Sequence, residues 1–487
     1  MRSLWLGAVL LSAIVVASCG EGPTGDPDAG GATGGGAGGG ATGGGIGGGA
    51  TGGGSGGGSA TCTPPANLTR AQQWQRSNRM FISGLNVVMP APTPAQVTDY
   101  FSSFHATALH TWATGFPNEV PARIAAAAPA SVPYVTWMNQ DGTSAWNGQL
   151  LGGLTPPAGR IGYQVSDEPM DVATFQAMAT GAAAVRTVDP NGLLIVNFAP
   201  GINTWNTIAA NTASFAPFDV VSMDQYDYGK NVFKGLARTR AVAMANGKVW
   251  WRYLDSYFES PNTDSATEAD LRWDAHVGIA YGYTGHTWFL YQVDPGPTGA
   301  LRTLLFSSSG DYGSAKTPQF TWAANVNLEL ANLGRAMVLL RNTDVRYVAR
   351  LLQPAETTAW AVGAGNDPYL AGVAPQGTLG PEAIVGSFRD DCDEPYAFVM
   401  TNAHPGGDWP NSSSANQTIR LSFNFASSTD ASLDKTAILV LDPVTGQVSP
   451  RALTSTGADT ATIDLNLRAG AGVLFKYKNA RPFALQP

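Results

Sequence analysis

The strongest motif for moving protons is Gly162-Tyr163-Gln164-Val165-Ser166-Asp167-Glu168-Pro169, where two adjacent carboxylic acids follow an apolar-rich run and precede a proline. A carboxylic acid can give up a proton as a bond breaks and take one back later. Asp224 and Asp255 close two further apolar runs and are the other candidate carboxylates, with Glu259 farther into the loop. The structural alternative for the pair is that Asp167 or Glu168 caps a helix that starts at Pro169.

The ends of the other apolar runs carry amides and flat rings: Trp112, Asn139, Gln140, Asn197, Tyr226, Tyr257, Trp288 and Gln292. Carboxylates, amides and aromatics together suit a sugar, whose hydroxyls take hydrogen bonds and whose apolar ring face stacks on an aromatic. Tyr226 and Trp288 are the preferred platforms, and Trp137, Trp146, Trp251 and Tyr291 are further aromatics near strand ends. The folded part contains no serine elbow, HExxH, CxxC or phosphate-binding glycine loop, and its five histidines are scattered. The reading therefore needs no metal and no cofactor. With 28 Lys+Arg against 36 Asp+Glu, a net charge of −8 and no basic run, a nucleic-acid partner is not expected.

These residues must be held by a scaffold, and 44% hydrophobic against 13% charged residues is enough to build one. Apolar runs at Met80 to Val88, Ala106 to Trp112, Val132 to Met138, Ile161 to Ser166, Leu193 to Phe198, Phe218 to Gln225, Lys248 to Leu254 and Thr287 to Gln292 read as strands buried on both faces. Helix-like segments such as Val120 to Ala130, Val172 to Val188 and Gly235 to Ala245 separate them. Eight strand-plus-crossover units predict an α/β (β/α)8 TIM-type barrel, with a doubly wound sheet as the alternative. In a barrel these polar residues fall at the C-terminal strand ends. From about Asp344 the texture changes to short alternating strands, at Thr358 to Val362, Ala383 to Phe388, Ala397 to Asn402, Thr418 to Phe425, Ala437 to Leu441 and Gly472 to Tyr477. An antiparallel β-sandwich that packs on the barrel, and is not a separate sugar-binding module, is expected.

The domains then read as a leader at 1–19, a linker at 20–61, the barrel at 62–343 and the sandwich at 344–487. Arg2 followed by the apolar stretch Leu4 to Ala17 reads as an export signal. Of the 58 glycines, 24 lie in residues 1–61, and the Gly, Ala, Thr and Ser repeat of the linker reads as a flexible tether. In an oxidising compartment Cys62 and Cys392 can pair, tying the start of the barrel domain to the sandwich. Asp390-Asp391-Cys392-Asp393 reads as a solvated acidic turn in preference to a calcium site.

Two resemblances add to this reading. Val16-Ala17-Ser18-Cys19 resembles the lipobox of bacterial lipoproteins, which implies cleavage before Cys19, its lipidation, and anchoring in the cell envelope. Asp167-Glu168-Pro169 at the end of the fourth strand is similar to the Asn-Glu-Pro of (β/α)8 glycoside hydrolases, which implies a carbohydrate substrate and Glu168 as general acid/base. The adjacent Asp-Glu also resembles the pair of β-N-acetylhexosaminidases, where Asp167 would orient a substrate acetamido group. The retaining clan places a glutamate nucleophile at the seventh strand, whereas Val249-Trp250-Trp251-Arg252-Tyr253-Leu254-Asp255 ends in an aspartate. A non-catalytic sugar-binding lipoprotein on a degenerate barrel is the alternative, and the oligomeric state stays open.

Overall fold

The computed structural model describes residues 62–87, 93–112, 132–137, 158–226, 228–229, 231–259, 266–292, 301–307, 315–349, 353–377, 382–405 and 415–487. The leader, the tether with Cys19, the Val120 to Ala130 segment, and Asn139, Gln140 and Trp146 lie outside them, as do the side chains of Trp112 and Tyr257.

Eight parallel strands close a barrel in chain order: β1 Phe81–Val87, β2 Leu109–Trp112, β3 Tyr134–Trp137, β4 Arg160–Ser166, β5 Leu193–Phe198, β6 Val220–Met223, β7 Val249–Asp255 and β8 Gly285–Gln292. Both faces of these strands are covered. On β5, Leu193 and Ile195 join Phe81, Val135, Val220, Val249 and Trp251 inside the barrel floor. Leu194, Val196 and Phe198 point outward onto helix α3, Val172–Val188. This is why the run Leu-Leu-Ile-Val-Asn-Phe carries no polar residue except Asn197, the inward-facing residue nearest the rim.

Helix α1, Arg70–Ser77, plugs the floor: Ala71 joins the floor core, Arg70 pairs with Asp219 at 2.9 Å, and Gln75 Nε2 donates to Thr284 Oγ1 at 2.6 Å. Cys62 and Cys392 are joined in a disulfide with a Cα separation of 5.2 Å. The acidic turn beside it is occupied by the protein's own groups. Asp391 takes both Nη atoms of Arg76 at 2.6 Å, and Asp390 Oδ1 accepts the Cys392 and Glu394 amides.

Around the barrel run α2 Pro94–Ser102, α4 Trp205–Ala210, α5 Val232–Ala245, α6 Glu268–Ala280 and α7 Pro318–Met337. Helix α6 starts in a capping box between Thr267 and Asp270 and has no solvent face: Ala269 to Ala280 are all buried. One side packs on the barrel and the other on the C-terminal sheets.

Those sheets are antiparallel. A six-stranded sheet has the order β9-β11-β12-β18-β14-β15, with β9 Arg341–Val348, β11 Ala383–Arg389, β12 Pro395–Thr401, β18 Gly472–Tyr477, β14 Ala437–Leu441 and β15 Val448–Ala452. It faces a four-stranded sheet, β10-β13-β17-β16, formed by Leu370–Gln376, Gln417–Asn424, Thr460–Leu467 and Thr454–Ser455. The expected strand at Thr358 to Val362 is instead a single bridge, Tyr347 to Ala359, because the chain turns away at once through left-handed Gly363 and Gly365. Strands β10, β15 and β17 went unread in the sequence because much of their surface is polar or exposed.

The six-stranded sheet is apolar on both faces. Val385, Val399, Phe475 and Val440 meet Ile419, Leu421 and Phe423 of the other sheet. Ile384, Phe388, Phe398, Met400 and Leu474 belong instead to the core formed with Trp273, Phe233 and Leu330 of the barrel helices. Gly386 permits the approach, since a Cβ there would lie 2.2 Å from the Ala280 carbonyl oxygen. Residues 344–487 expressed alone are accordingly expected to aggregate, or to bind an apolar dye strongly, because this face loses its cover. A soluble, monomeric fragment with low dye binding would contradict that dependence.

Charges cross the same junction. Glu329 of α7, 2% exposed, is held by Arg272 at 3.2 Å, Arg468 at 2.7 Å and His276 Nε2 at 3.3 Å. Trp273 Nε1 donates to Asn402 Oδ1 at 2.7 Å, and the Gly472 amide donates to His276 Nδ1 at 3.0 Å.

Candidate active site

β4 ends at Ser166, and the chain leaves it abruptly. Glu168 sits at φ +40°, a left-handed conformation that a non-glycine residue holds only at a cost of about 1–3 kcal/mol. Its amide donates to the Asn197 carbonyl at 3.0 Å, fixing the turn against the next strand. Helix α3 is capped by Asp171, whose Oδ1 accepts the Thr174 amide at 2.7 Å, so Asp167 and Glu168 do not serve as the cap.

The inward alternation of β5 and β6 delivers two more groups to this point. Asn197, fully buried, donates from Nδ2 to Asp167 Oδ1 at 2.9 Å. Asp224, the first residue past β6, anchors its amide on the Phe198 carbonyl at 3.0 Å and hydrogen-bonds the Glu168 carboxyl. Its Oδ1 is buried without a hydrogen-bond partner. Burial pushes the Asp224 carboxyl well above the usual range, and the charges of Glu168 and Asp167 push it further, against the Asn197 amide. Asp167 is raised as well, by burial first and then by Glu168, with Asn197 opposing. Asp167 and Asp224 thus gather beside Glu168 at the barrel rim and hold protons more tightly than isolated aspartates do.

Asp255 lies on the inward side of β7, in alternation with Trp251 and Tyr253. Its amide donates to Asp274 Oδ2 at 3.2 Å, and its charge bears on Tyr228, whereas the Glu168 charge bears on Asp167 and Asp224.

Below the carboxylates, Tyr253 Oη donates to Gln164 Oε1 at 2.7 Å, and Gln164 Nε2 donates to Asp167 Oδ1 at 3.4 Å. Leu85, Trp137, Tyr253 and Leu290 form the apolar layer under the rim, with Tyr226 and Phe289 against it. Tyr226 stacks on Phe289 with centroids 5.2 Å apart. His110, in the barrel interior, is pushed by burial to a pKa of about 3, so its ring is neutral near pH 7.

Three aromatics proposed as platforms face elsewhere. Trp288 points outward, is fully buried, and donates from Nε1 to Asn327 Oδ1 of α7 at 2.7 Å. Tyr291 points the same way, packing edge-on against Tyr100. Trp251 faces inward at the floor, stacked on Phe81 at 4.4 Å. Gln292 is buried at the end of β8, in register with Asn86. Sequence reasoning missed Phe289, Gln164 and Tyr253 as parts of the site. Alternation back from Asp255 along β7 signals Tyr253, whereas Gln164, three residues before Asp167, is out of step with it because the pairing of β4 with β5 shifts between Gln164 and Ser166.

The sequence matches no protein-family model and no curated protein. Among solved structures, a glycoside hydrolase family 5 protein from Bacteroides vulgatus ATCC 8482 aligns at 11% identity over 84% of this chain and 90% of its own, with a TM-score of 0.51. A second glycoside hydrolase aligns at 12% identity over 85% and 96%, with a TM-score of 0.50. At such identity the likeness is one of fold. The chain is therefore a (β/α)8 barrel of the kind these glycoside hydrolases use, joined to a C-terminal antiparallel β-sandwich.

Proposed function

We propose that this chain hydrolyses O-glycosidic bonds of an oligo- or polysaccharide, with Glu168 as general acid/base. The observation that supports it is the gathering of Asp167, Glu168 and Asp224 at the C-terminal rim of the barrel, where the Asp167 and Asp224 carboxyls are raised by burial and then by the neighbouring Glu168 charge. Leaving a sugar carbon, the glycosidic oxygen must take up a proton. Asp224, beside Glu168, holds a proton more tightly than a free aspartate and can share it with that neighbour. Asp224, whose carboxyl Glu168 pushes upward, is assigned as the proton-sharing neighbour of Glu168.

The group that attacks or stabilises the sugar carbon is then either the substrate's own acetamido group, oriented by Asp167, or Asp255 from β7. Tyr226 on Phe289 supplies the platform, and Trp112, Asn139, Gln140, Tyr257 and Gln292 are the other proposed sugar contacts. Asn197 is taken up by Asp167. We place the protein in the bacterial cell envelope, exported by residues 1–19 and anchored through lipidated Cys19. The test is release of reducing sugar from a panel of polysaccharides and aryl glycosides, including 2-acetamido sugars, beside calorimetric binding. Turnover supports the proposal. Affinity without turnover on any linkage replaces it with the sugar-binding lipoprotein, for which the aspartate at the end of β7 speaks, and absence of both overturns it.

A further inference from the structure

Asp167 accepts two amide donors on the same oxygen, Oδ1: Asn197 Nδ2 at 2.9 Å and Gln164 Nε2 at 3.4 Å. A glutamine amide has two faces of opposite polarity and would as readily turn its Oε1 toward the carboxylate, where two acceptors would repel. The Tyr253 hydroxyl prevents this, because it donates to Gln164 Oε1 at 2.7 Å from the far side of the barrel interior. Tyr253 is itself locked, 2% exposed, with ring neighbours His110 at 5.8 Å and Phe289 at 6.4 Å.

We infer that Tyr253 and Gln164 are positioning residues for Asp167: the tyrosine hydroxyl fixes the glutamine amide, the amide holds Oδ1 as acceptor, and Oδ2 is left as the oxygen that gains and loses the proton. An oxygen that already accepts two N–H groups is a poor base, so protonation is directed to its partner. The groups facing Asp167 are Gln164 and Glu168 on its own strand end, Asn197 from β5, Asp224 from β6 and Tyr253 from β7. Donors to the charged form favour it, which opposes the burial that raises Asp167. The inference deepens the glycosidase reading, since Asp167 is the neighbour of the proposed acid/base, but its readout does not require turnover.

The experiment is a pH titration of aspartate carboxyl carbons by carbon-13 NMR on the full chain, with the Asp167 signal assigned by its loss in Asp167→Asn. Gln164→Leu is expected to raise the midpoint of that signal by about one pH unit, a tenfold change in proton affinity, because a donor to the anion is gone. Tyr253→Phe keeps the ring and is expected to raise it by less, since the amide is then free to turn. If Gln164→Leu does not fold, Tyr253→Phe carries the test alone. A folded Tyr253→Phe with an unmoved or lowered midpoint would overturn the inference, and a lower melting temperature with no change in titration would show the pair to be structural only. An inactive wild type whose midpoints move as expected would sink the glycosidase reading and leave this one standing.

Discussion

Glu168→Gln is expected to lower kcat/KM on an unactivated glycoside by about 10²–10⁴-fold, the usual contribution of a positioned general acid. The amide has the same shape and can still hydrogen-bond Asp224, and the turn is held by the Glu168 backbone amide on the Asn197 carbonyl, so the melting temperature should barely move. What is lost is the proton. Aryl glycosides with acidic leaving groups need little protonation, and they should be spared most of the loss. Asp224→Asn should move the high-pH limb of the rate profile toward lower pH, because a neighbouring anion that helped retain the proton is gone. A Glu168→Gln enzyme with wild-type rates on unactivated substrate would remove Glu168 from the chemistry, whatever the fold resembles.

Arg272→Met should be the most damaging substitution away from the rim, costing about 3–5 kcal/mol, because it strips a buried carboxylate of a partner. Arg272 reaches Glu329 from α6, donates to the Ala469 carbonyl at 3.3 Å and pairs with Glu268. Glu329 would be left to Arg468 and His276 in a space closed by both the barrel helices and the sandwich. Urea unfolding measures the loss, and the double variant Arg272→Met/Glu329→Leu should recover most of it, since the uncompensated charge is then absent. A single-variant loss below about 1 kcal/mol would show that water reaches the junction. Acid should act on the same group. Burial alone would raise the Glu329 carboxyl, but the His276 ring 3.3 Å away and the charges of Arg272 and Arg468 hold it at about 2. Because this lies below the ordinary glutamate value of about 4.3, the cluster's stabilisation is complete above that value and is lost as pH falls toward 2. Glu329→Gln should flatten stability across that interval.

How much of this could be read beforehand depends on what each residue's neighbours in sequence reveal. The barrel strands were legible because burial on both faces demands apolar runs, and Leu193 to Phe198 and the helix Val172 to Val188 coincide with the structure residue for residue. Helix α6 was not, since a helix covered on every side shows no apolar stripe and carries Asp270, Arg272, Asp274 and His276 into buried partnerships. Asp167 and Glu168 stood out because a polar pair ends an apolar strand, and in a parallel barrel such ends converge.

The direction in which each rim residue faces was another matter. Trp288 and Phe289 are adjacent, yet the first supports α7 from outside while the second stacks with Tyr226. The pairing of β8 with β1 shifts between Gly84 and Asn86, and that of β4 with β5 between Gln164 and Ser166, so alternation counted along one strand does not carry across these points. The sequence by itself determined which segments are barrel strands, because burial on both faces is written in local composition. Only the closed barrel decided that Gln164, Asp167, Glu168, Asn197, Asp224 and Tyr253 meet, because that requires four strands from distant parts of the chain to be brought into register around one axis.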